Sequence, residues 1–240
     1  MPENLSKPDV VRLTPGPEKE KSFNVGAECN CLVESSPQVV DKPRNRSGGR
    51  TNQVSAIESW LYLSGARAVK PSRLKELGIT CVVDCTIELP NLPLDGIELV
   101  KVLVSDTPSS SLNDHFDLVA DKIEEVRRRK GRVLVHCIAG VSRSPALVLA
   151  YLVKHRGMSL RQAFLHVRSI RPNVRPNAGF FKQLIEFERR ARGSTSVTLV
   201  HDAALGLTIP DVCEDELRIL KDTRWARLIH ERRNFQRLYA

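Results

Sequence analysis

His136-Cys137 ends the apolar run RVLVHC, Arg143-Ser144 leads into the apolar run PALVLAYLV, and IAGVS lies between. A thiol and a guanidinium on either side of a glycine suit the capture of a tetrahedral anion. With a strand before and a helix after, the intervening N–H groups converge at a helix N-terminus, where the dipole adds positive field. Gly140 permits a turn that a Cβ would obstruct. Such a cradle also stabilises a thiolate, since a cysteine there can titrate at roughly 3.5–7.5 instead of about 8.5. Cys137 is therefore the candidate nucleophile. Ile138, Ala139, Gly140, Val141, Ser142 and Arg143 form the candidate phosphate-binding loop, with Arg143 as a planar clamp on two phosphoryl oxygens. A packed core cysteine is the blander use of Cys137.

Attack of Cys137 on phosphorus gives a cysteinyl-phosphate and divides a slow hydrolysis into two easier steps. The leaving oxygen then needs a proton, which a carboxylic acid on a loop can donate before serving as base for water. Ser-Asp-Thr-Pro at 105–108 puts Asp106 just past an apolar run; turn formation is the other common use of an aspartate there. Ser144 can donate to the sulfur and ease its departure. His136 reads as an orienting hydrogen-bond partner, Ser142 as a cap or loop hydrogen-bonder. The cradle and Arg143 supply the electrostatics, so no cofactor or metal is called for.

Elements that could position these residues begin at about Val54. AIESWLYLSG reads as a short strand pair, and PSRLKELG as a short helix opening with proline and stopping at Gly78. ITCVVDCT (79–86) and IELVKVLV (97–104) read as strands, the first buried on both faces. Asn113 can cap a helix whose apolar residues Phe116, Val119, Ala120, Ile123 and Val126 recur at helical spacing, ending at Gly131. After the RVLVHC strand, PALVLAYLVKH is apolar nearly all round and predicts a central helix. Two further helices start at the caps Ser159 and Asn177, and STSVTLVHD suggests an edge strand. Strands alternating with helices predict an α/β fold, a central, mostly parallel twisted sheet flanked by helices, with ligands beyond the strands' carboxyl ends. If the two buried strands are neighbours, Cys85 ends near Cys137 and is a candidate redox partner, a packed strand cysteine being the alternative.

HCIAGVSRS, His136 to Ser144, resembles the HCxxGxxRS signature of cysteine-dependent protein phosphatases, and its SRS ending the dual-specificity branch. The similarity runs from about residue 54 to 216 through ITCVVDCTIELPN, VLVSDTP, FDLVADKI, SIRPNVRPNAGF and IPDVCEDE. It resembles the small atypical dual-specificity phosphatases that have a C-terminal extension. The resemblance implies Cys137 as nucleophile, Arg143 as clamp, Asp106 as general acid and Asn177, in the RPNxGF pattern, as a support for the loop. Relatives often carry asparagine where this chain has Asp84. Ionised and alone, Asp84 would repel substrate; protonated or paired with an arginine it would not.

The 240 residues suffice for one domain with extensions. Residues 1–53 hold six of the fourteen prolines and one aromatic, Phe23, and read as a disordered tail. The catalytic domain is expected over 54–192, and 193–240 as an extension packing partly on it, with a basic tail. No secretory signal or 20-residue apolar span is visible, so a cytoplasmic location is expected, with the nucleus as the other compartment these features allow. Six cysteines without disulfide or zinc spacing agree with that, Cys29-Asn30-Cys31 being a pair with no second pair. The net charge of +9 favours anionic partners. RRRKGR at 127–132 reads as a solvated helix end, and no aromatic interleaving argues for nucleic acid. Phosphorylated proteins are the expected partners, and oligomeric state stays open. Two other readings use the same residues: a module that binds phosphoproteins without turnover, and a phosphatase for a non-protein phosphomonoester. Ile138, Ala139 and Val141 offer no charge to extra phosphates, which disfavours polyphosphorylated ligands.

Overall fold

The computed structural model describes residues 11–13, 53–90, 92, 94–203 and 206–215. Strands β1 (Val11–Leu13), β2 (Ser55–Glu58), β3 (Leu61–Gly65), β4 (Cys81–Asp84), β5 (Glu98–Lys101) and β6 (Val133–Cys137) form one sheet in the order β1-β5-β4-β6-β3-β2. The four inner strands β5, β4, β6 and β3 run parallel, and β1 and β2 close the edges antiparallel. Cys29 and Cys31 lie outside the described residues, as does most of 1–53. Within that expected tail, however, β1 pairs with the edge of β5: Val-Arg-Leu has the composition to fill an open ladder.

One face of the sheet carries α2 (Asn113–Arg128), α3 (Arg143–His155), α4 (Leu160–Ile170) and α5 (Ala178–Arg192); α1 (Pro71–Glu76) covers the other. Helix α3 is buried from Arg143 to Val153. That is why its sequence lacks a polar face: three helices and the sheet surround it. Among the described residues no helix is long and apolar enough to cross a membrane.

Several boundaries differ from the sequence reading. The strands expected at 79–86 and 97–104 shorten to β4 and β5. Asn113 is not a cap but the first residue of α2. The orphan N–H groups of Leu112 and Asn113 both donate to Gln183 Oε1 of α5, at 2.8 Å, so a distant side chain does the capping. Helix α2 stops at Arg128, and Lys130 takes the left-handed conformation (φ 57°) expected of a glycine. Gly131 is needed for another reason: a Cβ there would collide with Thr80 and Val126. Ser159 and Asn177 do cap α4 and α5. The segment read as an edge strand is β7 (Leu199–Asp202), which pairs, among the described residues, with β8 (Leu207–Pro210) in a separate hairpin. Buried Glu188 of α5 accepts from Leu160 N, Ser196 N and Ser196 Oγ, all at 2.8 Å, and so fastens the chain leading into that hairpin.

Candidate functional site

Strand β6 delivers Cys137 to the carboxyl end of the sheet, and α3 begins at Arg143. Between them, four successive carbonyls are turned outward. Ile138 O accepts from Ala66 N (3.0 Å), Ala139 O from Arg171 Nη2 (3.1 Å), Gly140 O from Arg171 Nε (2.8 Å) and Val141 O from Arg175 N (2.7 Å). In a trans peptide the C=O and the following N–H point opposite ways. The N–H groups of residues 139–142 therefore face the interior of the loop. Gly140 N donates to Cys137 Sγ at 3.3 Å, and Ser144 Oγ donates to the same sulfur at 3.2 Å. Gly140 has φ +66°, and a Cβ there would strike the Ser64 carbonyl and the Arg171 guanidinium; only glycine fits.

Arg143 is buried at the loop's end. Its Nη1 donates to Glu88 Oε2 (2.8 Å) and Val104 O (3.1 Å), while its Nε is buried without a partner and lies 3.8 Å from Asp106 Oδ2. The bond from Arg143 holds the Glu88 carboxyl below the usual carboxylate range. Asp106 is exposed and held by one oxygen: Oδ1 accepts from Ser142 Oγ (2.6 Å) and Asn177 Nδ2 (3.0 Å). Asn177 thus braces the loop indirectly. Its N–H donates to Ser142 Oγ (3.2 Å), its Oδ1 caps α5 by accepting from Phe180 N (2.9 Å), and its amide nitrogen reaches Asp106. Gly179, two residues on, lets the 105–108 turn lie against α5, since a Cβ would meet the Pro108 carbonyl.

Asp84 is neither exposed nor alone. Its Oδ2 accepts from Lys101 Nζ at 2.6 Å and its Oδ1 from Thr86 Oγ1 at 2.7 Å. The partner is a lysine of the neighbouring strand and not an arginine. The orienting bond expected of His136 is not formed: its ring nitrogens are buried without a well-formed hydrogen bond, and Asp84 Oδ1 stands 3.8 Å away. Burial pushes the imidazole pKa down against the pull of Asp84, which keeps the ring neutral. Cys85 follows β4 beside β6, its N–H donating to His136 O (2.8 Å), and belongs to the same buried core as Cys137. Burial first, then Cys137 and Asp84, push its thiol pKa well up.

Three residues at the site escaped the sequence reading: Glu88, Lys101 and Arg171. Arg171 is buried beneath the loop, and besides the two loop carbonyls it donates from Nη1 to Gln53 O (3.0 Å) and Ser55 Oγ (3.3 Å). Desolvation lowers its pKa and Cys137 acts to raise it, so the guanidinium adds positive potential under the sulfur. Its position in RPNVRPNAGF was legible; its role was not, because arginine before proline has no local signature. Among the described residues no group of three or more His, Cys, Asp or Glu side chains is arranged to hold a metal ion.

The model of the dual specificity phosphatase catalytic domain matches residues 61–190. Human dual specificity protein phosphatase 14 is 43% identical over 185 residues, 77% of this chain and 92% of that protein. Human dual specificity protein phosphatase 18 is 42% identical over 168 residues, 70% of this chain and 88% of that protein. Among solved structures, a mouse putative dual specificity phosphatase complexed with zinc tungstate superposes with a TM-score of 0.57 at 33% identity, covering 62% of this chain and 94% of that one. Human DUSP28 superposes with a TM-score of 0.55 at 35% identity, covering 57% and 93%.

Proposed function

Because this chain belongs to the dual specificity phosphatase family, we propose that it dephosphorylates proteins at phosphotyrosine and phosphoserine or phosphothreonine through the site just described. Cys137 attacks phosphorus in line, and the P–O bond to the substrate breaks as the S–P bond forms. Inward N–H groups and Arg143 carry the charge on the phosphoryl oxygens. Arg143 Nε, buried without a hydrogen-bond acceptor, is the donor left for such an oxygen. Asp106, tethered through Oδ1, keeps Oδ2 for the proton that the leaving oxygen needs, and later takes a proton from water. Ser144 stabilises the sulfur as the S–P bond breaks.

The observation that carries this reading is the hydrogen-bonding of Cys137 Sγ by Gly140 N and Ser144 Oγ beneath four outward carbonyls. An anion is what that arrangement suits, and the tungstate bound by the mouse relative is a tetrahedral dianion like phosphate. The test is hydrolysis of p-nitrophenyl phosphate and of a panel of phosphopeptides. Cys137→Ser is expected to abolish turnover while still binding inorganic phosphate. Turnover surviving that change would sink the nucleophile assignment; phosphate binding without any wild-type turnover would mark a capture module. An inositol phospholipid and a triphosphorylated RNA in the panel are expected to be poor substrates, because the loop side chains Ile138, Ala139 and Val141 carry no charge.

Cys85 serves as a capture partner for oxidised Cys137. Peroxide converts the Cys137 thiolate to a sulfenic acid, and Cys85 then forms the disulfide with loss of water. Peptide mapping after peroxide is expected to find the Cys85–Cys137 linkage; Cys137 as sulfinic acid with Cys85 still a thiol would refute it.

A further inference from the structure

The sheet registers bring a polar row together. Ser64 of β3 pairs with His136 of β6, His136 with Asp84 of β4, and Asp84 with Lys101 of β5. All four are buried, on the sheet face opposite Cys137. The row is unevenly bonded. Ser64 Oγ and both His136 nitrogens lack partners, whereas the other end is complete. Lys101 Nζ donates to Asp84 Oδ2 (2.6 Å), Thr86 Oγ1 (3.1 Å) and Leu89 O (2.9 Å), using all three of its protons. With side-chain exposures of 6% and 2%, water screens neither charge of this pair. Asp84 therefore stands one strand, about 4.8 Å, and one residue of register from the nucleophile, and Lys101 one strand further out.

We propose that Asp84 and Lys101 are positioning residues that act as a matched charge pair behind the phosphate loop, so that neither carboxylate nor ammonium biases the anion-binding side. The inference rests on the phosphatase reading for its relevance, not for its geometry. Burial chiefly raises the Cys85 thiol pKa; after it Cys137 and Asp84 raise it and Arg143 and Lys101 lower it, so the pair and the site act on one side chain. Around the sulfur, Arg143 at the start of α3 is paired with Glu88 and lies near Asp106, Arg171 stands at the end of α4, and His136 on β6 is neutral. Removing one member of the pair uncovers the other. Asp84→Asn leaves an uncompensated cation and favours anions at the loop. Lys101→Met leaves an uncompensated carboxylate and opposes them. A merely structural pair would damage the site in one direction whichever member was lost.

The test measures the rate of iodoacetamide alkylation of Cys137 against pH, and inorganic phosphate affinity by calorimetry, neither of which requires turnover. In Asp84→Asn the alkylation profile is expected to move toward lower pH, by roughly half to one unit, with tighter phosphate binding. In Lys101→Met it is expected to move toward higher pH, with weaker binding, and further, since the carboxylate left behind is one strand nearer. The double variant is expected to return close to wild type. Each single variant is also expected to lose roughly 6–12 °C of melting temperature, as when one partner of a buried pair is removed. Both single variants shifting the same way, or Asp84→Asn shifting nothing, overturns the proposal. If Lys101→Met fails to fold, Asp84→Asn and the double variant decide by the same criteria. Failure of p-nitrophenyl phosphate hydrolysis by the wild type would overturn the phosphatase reading alone and leave these binding readouts intact.

Discussion

As the proposed general acid, Asp106 has to be held in place and still give up a proton, and its two oxygens divide the work. Oδ1 takes the bonds from Ser142 and Asn177, and Oδ2 faces Arg143. Asp106→Asn keeps both restraints possible while removing the proton. On phosphopeptides kcat is expected to fall about 10²–10⁴-fold, the usual contribution of a positioned acid. On p-nitrophenyl phosphate, whose leaving group departs without protonation, the loss is expected to be far smaller. Steady-state kinetics on the two substrates check this, and equal losses would make Asp106 structural only. Cys81 illustrates the opposite fate of a thiol: burial pushes it up to about 12, so it stays inert core although it lies on the same sheet.

Among the elements, the 138–142 loop is shaped from outside by neighbours that hold its carbonyls. Arg171, reaching from the end of α4, holds two of the four outward carbonyls and ties them to the start of β2. Arg171→Met frees those carbonyls to turn inward and removes a positive charge. Inorganic phosphate affinity is expected to drop about tenfold or more, with KM rising ahead of any fall in kcat, as titration calorimetry and kinetics will read. Gly179 positions the acid in the same indirect way. Gly179→Ala pushes the 105–108 turn off α5. The kcat on phosphopeptides is expected to fall roughly 10²-fold, the scale of an ångström's misplacement, while phosphate affinity is expected to fall less, because the loop carbonyls are held by Ala66, Arg171 and Arg175 and not by this turn.

The whole molecule is organised around α3, which starts at Arg143 and ends against α2. Deep in that packing, Tyr151 donates to Glu124 at 3.2 Å, and Glu124 also accepts from Arg127 and Arg128. The bonds from Arg127, chiefly, depress the Glu124 carboxyl to about 2 from an ordinary value of 4.5. A depressed carboxyl stabilises the fold above its unfolded value and loses that contribution as pH falls through the folded one. Melting temperature is therefore expected to drop as pH goes from 4.5 toward 2, and to drop less steeply in Glu124→Gln, by scanning calorimetry. The hairpin of β7 and β8 joins the same unit, since Val197, Ile209 and Cys213 are buried with the main core.

The loop from Cys137 to Arg143 was legible in the sequence because it is local. Cysteine, glycine and arginine within seven consecutive residues define a turn between a strand and a helix, and main-chain geometry does the rest. Helix caps at Ser159 and Asn177 and the all-apolar run of α3 were legible for the same reason. The rest depends on contacts between residues far apart in the chain: Gln183 capping α2 from 70 positions away, Arg171 clasping the loop, Lys101 pairing with Asp84 from the neighbouring strand. Each is a polar or charged side chain whose partner is chosen by sheet register and helix packing. A sequence shows that a charge is present; it takes the fold to show what neutralises it.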